Sequence, residues 1–295
     1  MLTNAIAQPC DSTFYFSSNI TRAGTLATLA LYNEVALTPK PGLVDRSNPG
    51  AHRDMDFHTF IDSINAISPW FDEFYHSGYR HRKHSLCTLL RTIRPAGIAC
   101  EQSMLSATQG VNTHKGAIFS LGLICAVIGY LEGRQLPLTA RSICHSVAEA
   151  CHGLLNELTT AGTPDTAGKR LYRQYGFTGA CGEAASGFAT VWQYSLPAYQ
   201  HCKASGCDEQ TALLQALMLL MAYNNDTNIV ARGGLDGLQF VQQRARAILQ
   251  SPDKLVAEDL SLLIDFNQQL TEKYLSPGGS ADLLAVTWFL THYDR

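Results

Sequence analysis

The chain has 295 residues, 46% of them hydrophobic and 16% charged, with a formal net charge of −3, enough to bury a large core in one domain or two closely packed ones. Its pI near 6.3 gives no global electrostatic drive toward nucleic acid or an acidic membrane, so a nucleic-acid role is disfavoured. Nine cysteines, odd in number and without a C-x-x-C pair, read as reduced thiols of a cytoplasmic protein, not as a disulfide scaffold or a zinc site.

Residues 1–17 carry no periodic pattern and read as an irregular N-terminal arm, and no basic flank with an apolar core marks a signal peptide there. From residue 18 to 295 no Pro/Gly/Ser-rich linker or charge block divides the chain, which reads as a single domain. Leu26, Leu29 and Ala30 open a helical period. Ile64, Ile67, Phe71 and Phe74 then share one face of a helix from about Asp56 to Tyr75. A milder helix is expected over Pro95–Ala107, followed by the apolar run Ala117–Leu131, which is short of the roughly 20 residues that span a bilayer. The period returns in Leu213, Leu214, Leu217 and Leu220, and again in Leu238, Val241, Ala245 and Leu249. Gly78, Gly133, Gly162, Gly176 and Gly206 fall where periodic segments stop, and Thr139, Asp208 and Ser280 precede their starts. Sustained period-two alternation is hard to find, and no fixed-period repeat marks a solenoid. The expectation is an all-α globule of about ten helices, with its site built from inter-helix loops and helix N-termini.

Four polar, glycine-bearing segments interrupt this pattern: Thr38–Asp54, Gly110–Gly116, Asp226–Gly237 and Ser276–Asp282. Loops of this composition are where function concentrates, although loops also simply connect elements. In the first, Pro39 and Pro41 stiffen the backbone around Lys40, with Asp45 close behind it. In the second, Gly110-Val111-Asn112-Thr113-His114-Lys115-Gly116 precedes an apolar helix whose first N–H groups have no intrahelical partner. Such a junction favours anions, phosphates above all. His114 adds a proton donor or acceptor and Lys115 a mobile positive charge. In the third, Asp226-Thr227-Asn228 leads to Arg232-Gly233-Gly234, where arginine can fork onto phosphate oxygens and glycine lets backbone approach a ligand. In the fourth, Gly278 and Gly279 precede Ser280, an expected N-cap, and Asp282. Glu101 lies inside the Pro95–Ala107 helix, either solvated or aimed into a site that tunes its proton affinity.

Other chemistries lack their motifs. The spacing of His52, Asp54, Asp56 and His58 fits no zinc pattern, and the basic run Arg80–His84 reads as a solvated loop. There is no G-x-x-x-x-G-K-[ST] loop, no G-x-G-x-x-G fingerprint and no G-x-S-x-G elbow.

Taken in order, T-P-K-P-G-L-V-D at 38–45, G-V-N-T-H-K-G at 110–116, D-T-N at 226–228 with R-G-G at 232–234, and S-P-G-G-S-A-D-L-L at 276–284 closely resemble the triphosphoribosyl-dephospho-CoA synthase family. The likeness runs from about Leu31 to the C-terminus. It implies a reaction of ATP with 3′-dephospho-CoA in which adenine leaves the ribose and the 2′-hydroxyl of dephospho-CoA attacks the anomeric carbon. The product, 2′-(5″-triphosphoribosyl)-3′-dephospho-CoA, is the prosthetic-group precursor of the citrate lyase acyl carrier protein; a sister branch serves malonate decarboxylase. Attachment to the carrier is expected of a separate transferase, and a homo-oligomer is compatible with the sequence.

The α linkage that the resemblance implies for the product requires inversion, hence direct displacement with an acid and a base on opposite faces of an oxocarbenium-like centre. Glu101 or Asp45 is the expected base, and His114 the group that protonates adenine or contacts phosphate. Lys40, Asn112, Lys115, Arg232, Gly233, Gly234, Gly278, Gly279 and Ser280 are the expected substrate contacts. Mg²⁺ is expected with ATP, held by the phosphates and by one or two of Asp45, Asp226 and Asp282. Two other classes use similar residues: a metal-dependent phosphohydrolase, which would release phosphate, and a nucleotide sensor, which would release nothing.

Overall fold

The computed structural model describes residues 20–159, 167–250 and 260–293. The arm read over residues 1–17 and the expected helix stop at Gly162 lie outside them. Among the described residues there are thirteen α-helices and no strand, as the absence of period-two alternation requires. They are α1 (Arg22–Ala36), α2 (Phe57–His81), α3 (Leu89–Ala107), α4 (Lys115–Gly133), α5 (Ala140–Ala150), α6 (Asn156–Thr159) and α7 (Ala167–Tyr175). The remainder are α8 (Gly179–Ala185), α9 (Leu196–Ala204), α10 (Glu209–Tyr223), α11 (Thr227–Leu249), α12 (Ser261–Glu272) and α13 (Gly278–Tyr293). The count exceeds the expected ten because α6, α7 and α8 have only 4, 9 and 7 residues, too few for a helical period to declare itself.

Caps fix most of the helix starts. The side chains of Thr21, Thr139 and Asp208 accept the N–H groups of Gly24, Ser142 and Thr211, and Asp56 forms a reciprocal box with Thr59. Ser280 is not a cap as expected. Helix α13 begins two residues earlier, at Gly278, and Ser280 sits in its first turn. Gly78 is likewise no helix stop, because α2 continues through it to His81.

The reason for Gly78 lies in packing. Helix α4 is apolar all round and buried from Ala117 to Leu131 apart from Phe119, which places it at the centre of the fold with α2 laid along it. A Cβ on Gly78 would sit 1.8 Å from the Ala126 carbonyl oxygen, and one on Gly129 would sit 2.0 Å from that of Tyr75. Glycine on both helices therefore allows a backbone-to-backbone crossing. Although α4 is apolar enough to cross a membrane by composition, 78% of its most apolar window is buried inside the fold. Helix α13 is likewise buried from Leu283 to Thr291 and packed on α1, α10 and α4. The N-termini of these two central helices open at the same place.

Gly78→Ala should therefore destabilise the fold by about 3 kcal/mol, the upper part of the usual overpacking range. Gly97→Ala in α3, where nothing lies within 4 Å of the added carbon, should instead stabilise it by about 0.5–1 kcal/mol. Urea denaturation of the two variants beside the parent chain checks both signs.

Candidate active site

A cavity of about 590 Å³ opens where the α1–α2 loop, the start of α4, the α7–α8 region, the first turns of α11 and the start of α13 converge. All four polar segments reach it. Lys40, Asn112, His114, Lys115, Arg232, Gly278, Gly279 and Asp282 line the wall, together with Leu31, Leu43, Val44 and Phe60. Of the other expected site residues, Asp45, Glu101, Asp226, Gly233, Gly234 and Ser280 do not.

Lys40 is a buried cation, 1% exposed, and its ammonium forms an ion pair with Glu34 of α1, itself 5% exposed. Burial raises the proton affinity of the Glu34 carboxyl, and Lys40 opposes that rise. The Asp45 carboxylate braces the same loop. One of its oxygens accepts the Lys40 backbone N–H at 2.9 Å, and the other accepts the N–H groups of Ser47 at 2.7 Å and Asn48 at 2.9 Å. Its hydrogen-bonding capacity is thus used within its own loop, away from the cavity.

His114 precedes α4 and is 2% exposed. Its Nδ1 lies 2.7 Å from the Ser63 hydroxyl of α2, and the Thr113 hydroxyl donates to the same Ser63 oxygen at 2.7 Å. Phe60 meets the imidazole edge-on with centroids 4.8 Å apart. Burial, and next the charge of Lys40, push the His114 pKa down to about 3, so the ring is neutral at physiological pH.

Asp226 caps two helices at once. Its carboxylate accepts the Asn228 N–H of α11 at 3.0 Å and the Ser280 N–H and hydroxyl of α13 at 2.7 Å and 3.0 Å. The Gly279 N–H points to it as well. Despite these donors, burial raises the proton affinity of the Asp226 carboxyl. One turn into α13, the half-buried Asp282 reaches across to α4 and accepts the Ala117 N–H. A Cβ on Gly116 would stand 2.0 Å from an Asp282 oxygen, so glycine at that position is what admits the carboxylate. Desolvation, then the nearby charges of Glu34 and Asp226, hold the Asp282 pKa well above the usual carboxylate range.

Arg232 is anchored on the far wall. Its guanidinium donates to the carbonyls of Ala51 and Tyr274 and to His52 Nδ1, each at 3.3 Å. His52 in turn lies 2.8 Å from the Ser276 hydroxyl, and burial followed by the Arg232 charge lowers its pKa to about 4. Gly234 takes φ 63° and kinks α11, so Gly233 and Gly234 shape the helix instead of facing the cavity. Glu101 forms an ion pair at 2.8 Å with Lys115, which lines the cavity. The expected base thus steadies a cation of the cavity wall.

Three participants escaped the sequence reading. Glu34 belongs to the last turn of α1, and nothing in its neighbours marks it as the partner of Lys40. His52 carried a signal only as part of a metal pattern that did not fit. Ser63 was detectable in principle: it shares the buried stripe of Ile67, Trp70 and Phe74, and a small polar residue on an apolar stripe asks for a partner.

Compared with known proteins, residues 20–295 match the family model described as ATP:dephospho-CoA triphosphoribosyl transferase, a span that starts ahead of the Leu31 at which the motif resemblance begins. The chain is 57% identical over 265 residues to 2-(5''-triphosphoribosyl)-3'-dephosphocoenzyme-A synthase of Pectobacterium atrosepticum, covering 90% of this chain and 86% of the relative. It is 58% identical over 265 residues to the probable enzyme of the same name from Pectobacterium carotovorum, with the same coverage. The Escherichia fergusonii synthase is 47% identical over 273 residues, 92% of this chain and 90% of the relative. No solved structure gives a significant match.

The raised Asp282 pKa has a consequence for stability. The folded chain holds a proton on Asp282 that the unfolded chain has already released, so this site's contribution falls as pH rises from the ordinary carboxylate range through the raised value. Asp282→Asn removes the charge that burial disfavours. Thermal melts across roughly pH 4 to 8 should show little effect at the acid end and a Tm higher by about 2–4 °C at the alkaline end. A pH-independent difference would refute the desolvated carboxylate.

Proposed function

The chain belongs to the ATP:dephospho-CoA triphosphoribosyl transferase family, and from that premise we propose that it transfers the triphosphoribosyl group of ATP to 3′-dephospho-CoA with release of adenine. The bond between the ribose anomeric carbon and adenine N9 breaks, its electron pair leaving with the base. The 2′-hydroxyl oxygen of dephospho-CoA forms the new bond to that carbon, and the hydroxyl proton passes to the ionised form of Asp282. The departing base takes one proton from water, and Asp282 returns one to solvent, so that neutral adenine is released. The observation that carries this reading is the Asp282 carboxylate: on the cavity wall, desolvated, and with a raised proton affinity suited to a base. Of the carboxylates that line the cavity, Glu34 is matched by Lys40 and Asp54 is exposed beside His52, which leaves Asp282 to take the proton.

Lys115 and Arg232 supply positive charge on the cavity wall, and they receive the triphosphate in this reading. Lys40 is reserved for Glu34. Mg²⁺ enters as the counter-ion of ATP. Among the described residues no group of three or more His, Cys, Asp or Glu side chains is gathered to hold a metal. Asp45 and Asp226 are occupied by N–H donors, so Asp282 alone of the three expected ligands faces the cavity. A single carboxylate on the wall does not by itself compose a protein-held metal site. The product is the prosthetic-group precursor of the citrate lyase acyl carrier protein, made in the cytoplasm and passed to a separate transferase.

Chromatography with mass detection after incubation with ATP, Mg²⁺ and 3′-dephospho-CoA tests the reaction: adenine and the triphosphoribosyl adduct should appear in equal amounts. Phosphate without adenine would identify a hydrolase instead. In the same assay Asp282→Ala should lower kcat by about 10²–10⁴-fold, the usual contribution of a general base. Arg232→Ala should raise the KM for ATP by about tenfold or more through loss of a charge-assisted contact.

A further inference from the structure

Resting on the transfer reaction above, we propose that Ser63 and Thr113 are positioning residues that hold His114 as a neutral imidazole with its proton on Nε2, and that this N–H donates a hydrogen bond to a ring nitrogen of the departing adenine. The argument begins with proton bookkeeping on a closed set of groups. Ser63 is fully buried, and its hydroxyl oxygen has two partners among the described residues, Thr113 Oγ1 and His114 Nδ1, each at 2.7 Å. Thr113 donates its proton to Ser63, so the Ser63 proton has one acceptor left, which is Nδ1. A ring nitrogen that accepts carries no proton. The proton of the neutral ring therefore sits on Nε2.

Nε2 is itself buried and has no hydrogen-bond partner. A buried donor without an acceptor costs about 1–3 kcal/mol, and native structures seldom retain one without a use. His114 is among the residues that line the cavity, so the acceptor is supplied by what binds there. Its character follows from the surroundings. Phe60 packs edge-on to the imidazole, and Leu31, Leu43 and Val44 line the same cavity. The neighbouring Lys40 charge is already paired with Glu34. An apolar wall with one neutral donor suits the flat face and ring nitrogens of a purine, whereas the triphosphate calls for the cations Lys115 and Arg232.

The donor acts on the leaving group without giving up its proton. As the glycosidic bond breaks, the electron pair that stays with adenine spreads over its ring nitrogens, and a fixed N–H beside one of them gains strength as that charge grows. Burial and Lys40 keep the ring from becoming an imidazolium. In this reading His114 is a hydrogen-bonding electrophile, in place of the expected roles of protonating adenine or contacting phosphate.

Three readouts test this. In two-bond ¹⁵N–¹H correlation spectra of histidine-labelled protein, with His114→Gln used to assign one ring among ten, His114 should appear as the neutral Nε2–H form from about pH 5 to 8. Ser63→Ala should admit the Nδ1–H form and lower kcat, and Ser63→Thr should restore both. His114→Gln, whose amide can occupy the Nε2 position as a donor, should keep kcat within about tenfold of the parent, whereas His114→Asn and His114→Ala should lose about 10²–10³-fold. Finally, the penalty for replacing ATP by its 7-deaza or its 3-deaza analogue should be large in the parent for one of the two and shrink in His114→Ala. An imidazolium or Nδ1–H ring in the parent, a Gln variant as poor as Ala, or a deaza penalty unchanged in His114→Ala would overturn the proposal. A parent enzyme that released no adenine would overturn the transfer reaction instead, and the spectra would still report the Ser63 relay.

Discussion

One buried carboxylate organises this site. Asp226 receives N–H groups from the first turns of both α11 and α13, so two helices that approach from different parts of the chain begin at the same anion. Helix N-termini leave donors unpaired, and a shared carboxylate satisfies several of them with a single charge. Gly279 makes the geometry possible, since a Cβ there would lie 3.0 Å from an Asp226 oxygen. Asn224, at the end of α10, donates to the Ser280 hydroxyl at 3.3 Å and ties a third helix to the same point. With α13 pinned in this way, Asp282 comes round on the next turn to the start of α4.

The electrostatic character of the cavity follows from that arrangement. Glu34, Asp226 and Asp282 all hold their protons more tightly than exposed carboxyls do, because burial opposes their charge. They differ in how the charge is answered. Glu34 has the Lys40 ammonium and Asp226 has a set of backbone donors, while Asp282 has the Ala117 N–H and otherwise faces the cavity. Of the three, Asp282 has the fewest partners, and in the proposed reaction it is the base; the same desolvation is a folding cost.

His114 shows the same division of labour. Its loop is ordered by contacts that consume polar groups, including the His114 N–H on the Met104 sulfur at 3.2 Å and the Lys115 N–H on the Asn112 side chain at 3.2 Å. One donor, Nε2, is left over. In the proposed reaction this neutral N–H serves the leaving base and the desolvated Asp282 serves the entering hydroxyl.

The sequence by itself determined the all-α class, through helical periods and the scarcity of alternation, and it located the four polar segments that converge on the cavity. Lys40, His114, Arg232 and Asp282 were legible because residue type and loop position suffice to nominate a group for binding or proton transfer. Which carboxylate remains available could not be read that way. Asp45, Asp226, Asp282 and Glu101 are alike as residues, and they differ only in what reaches them: loop N–H groups, two helix ends, one N–H and a cavity, or a surface lysine. Some of the decisive partners come from positions far apart in the chain. Ser63 is 51 residues from His114, and Ser280 is 54 from Asp226. Helical period and local spacing carry no information at that range, so the tertiary structure alone decided which charges are answered and which polar groups are left without a partner.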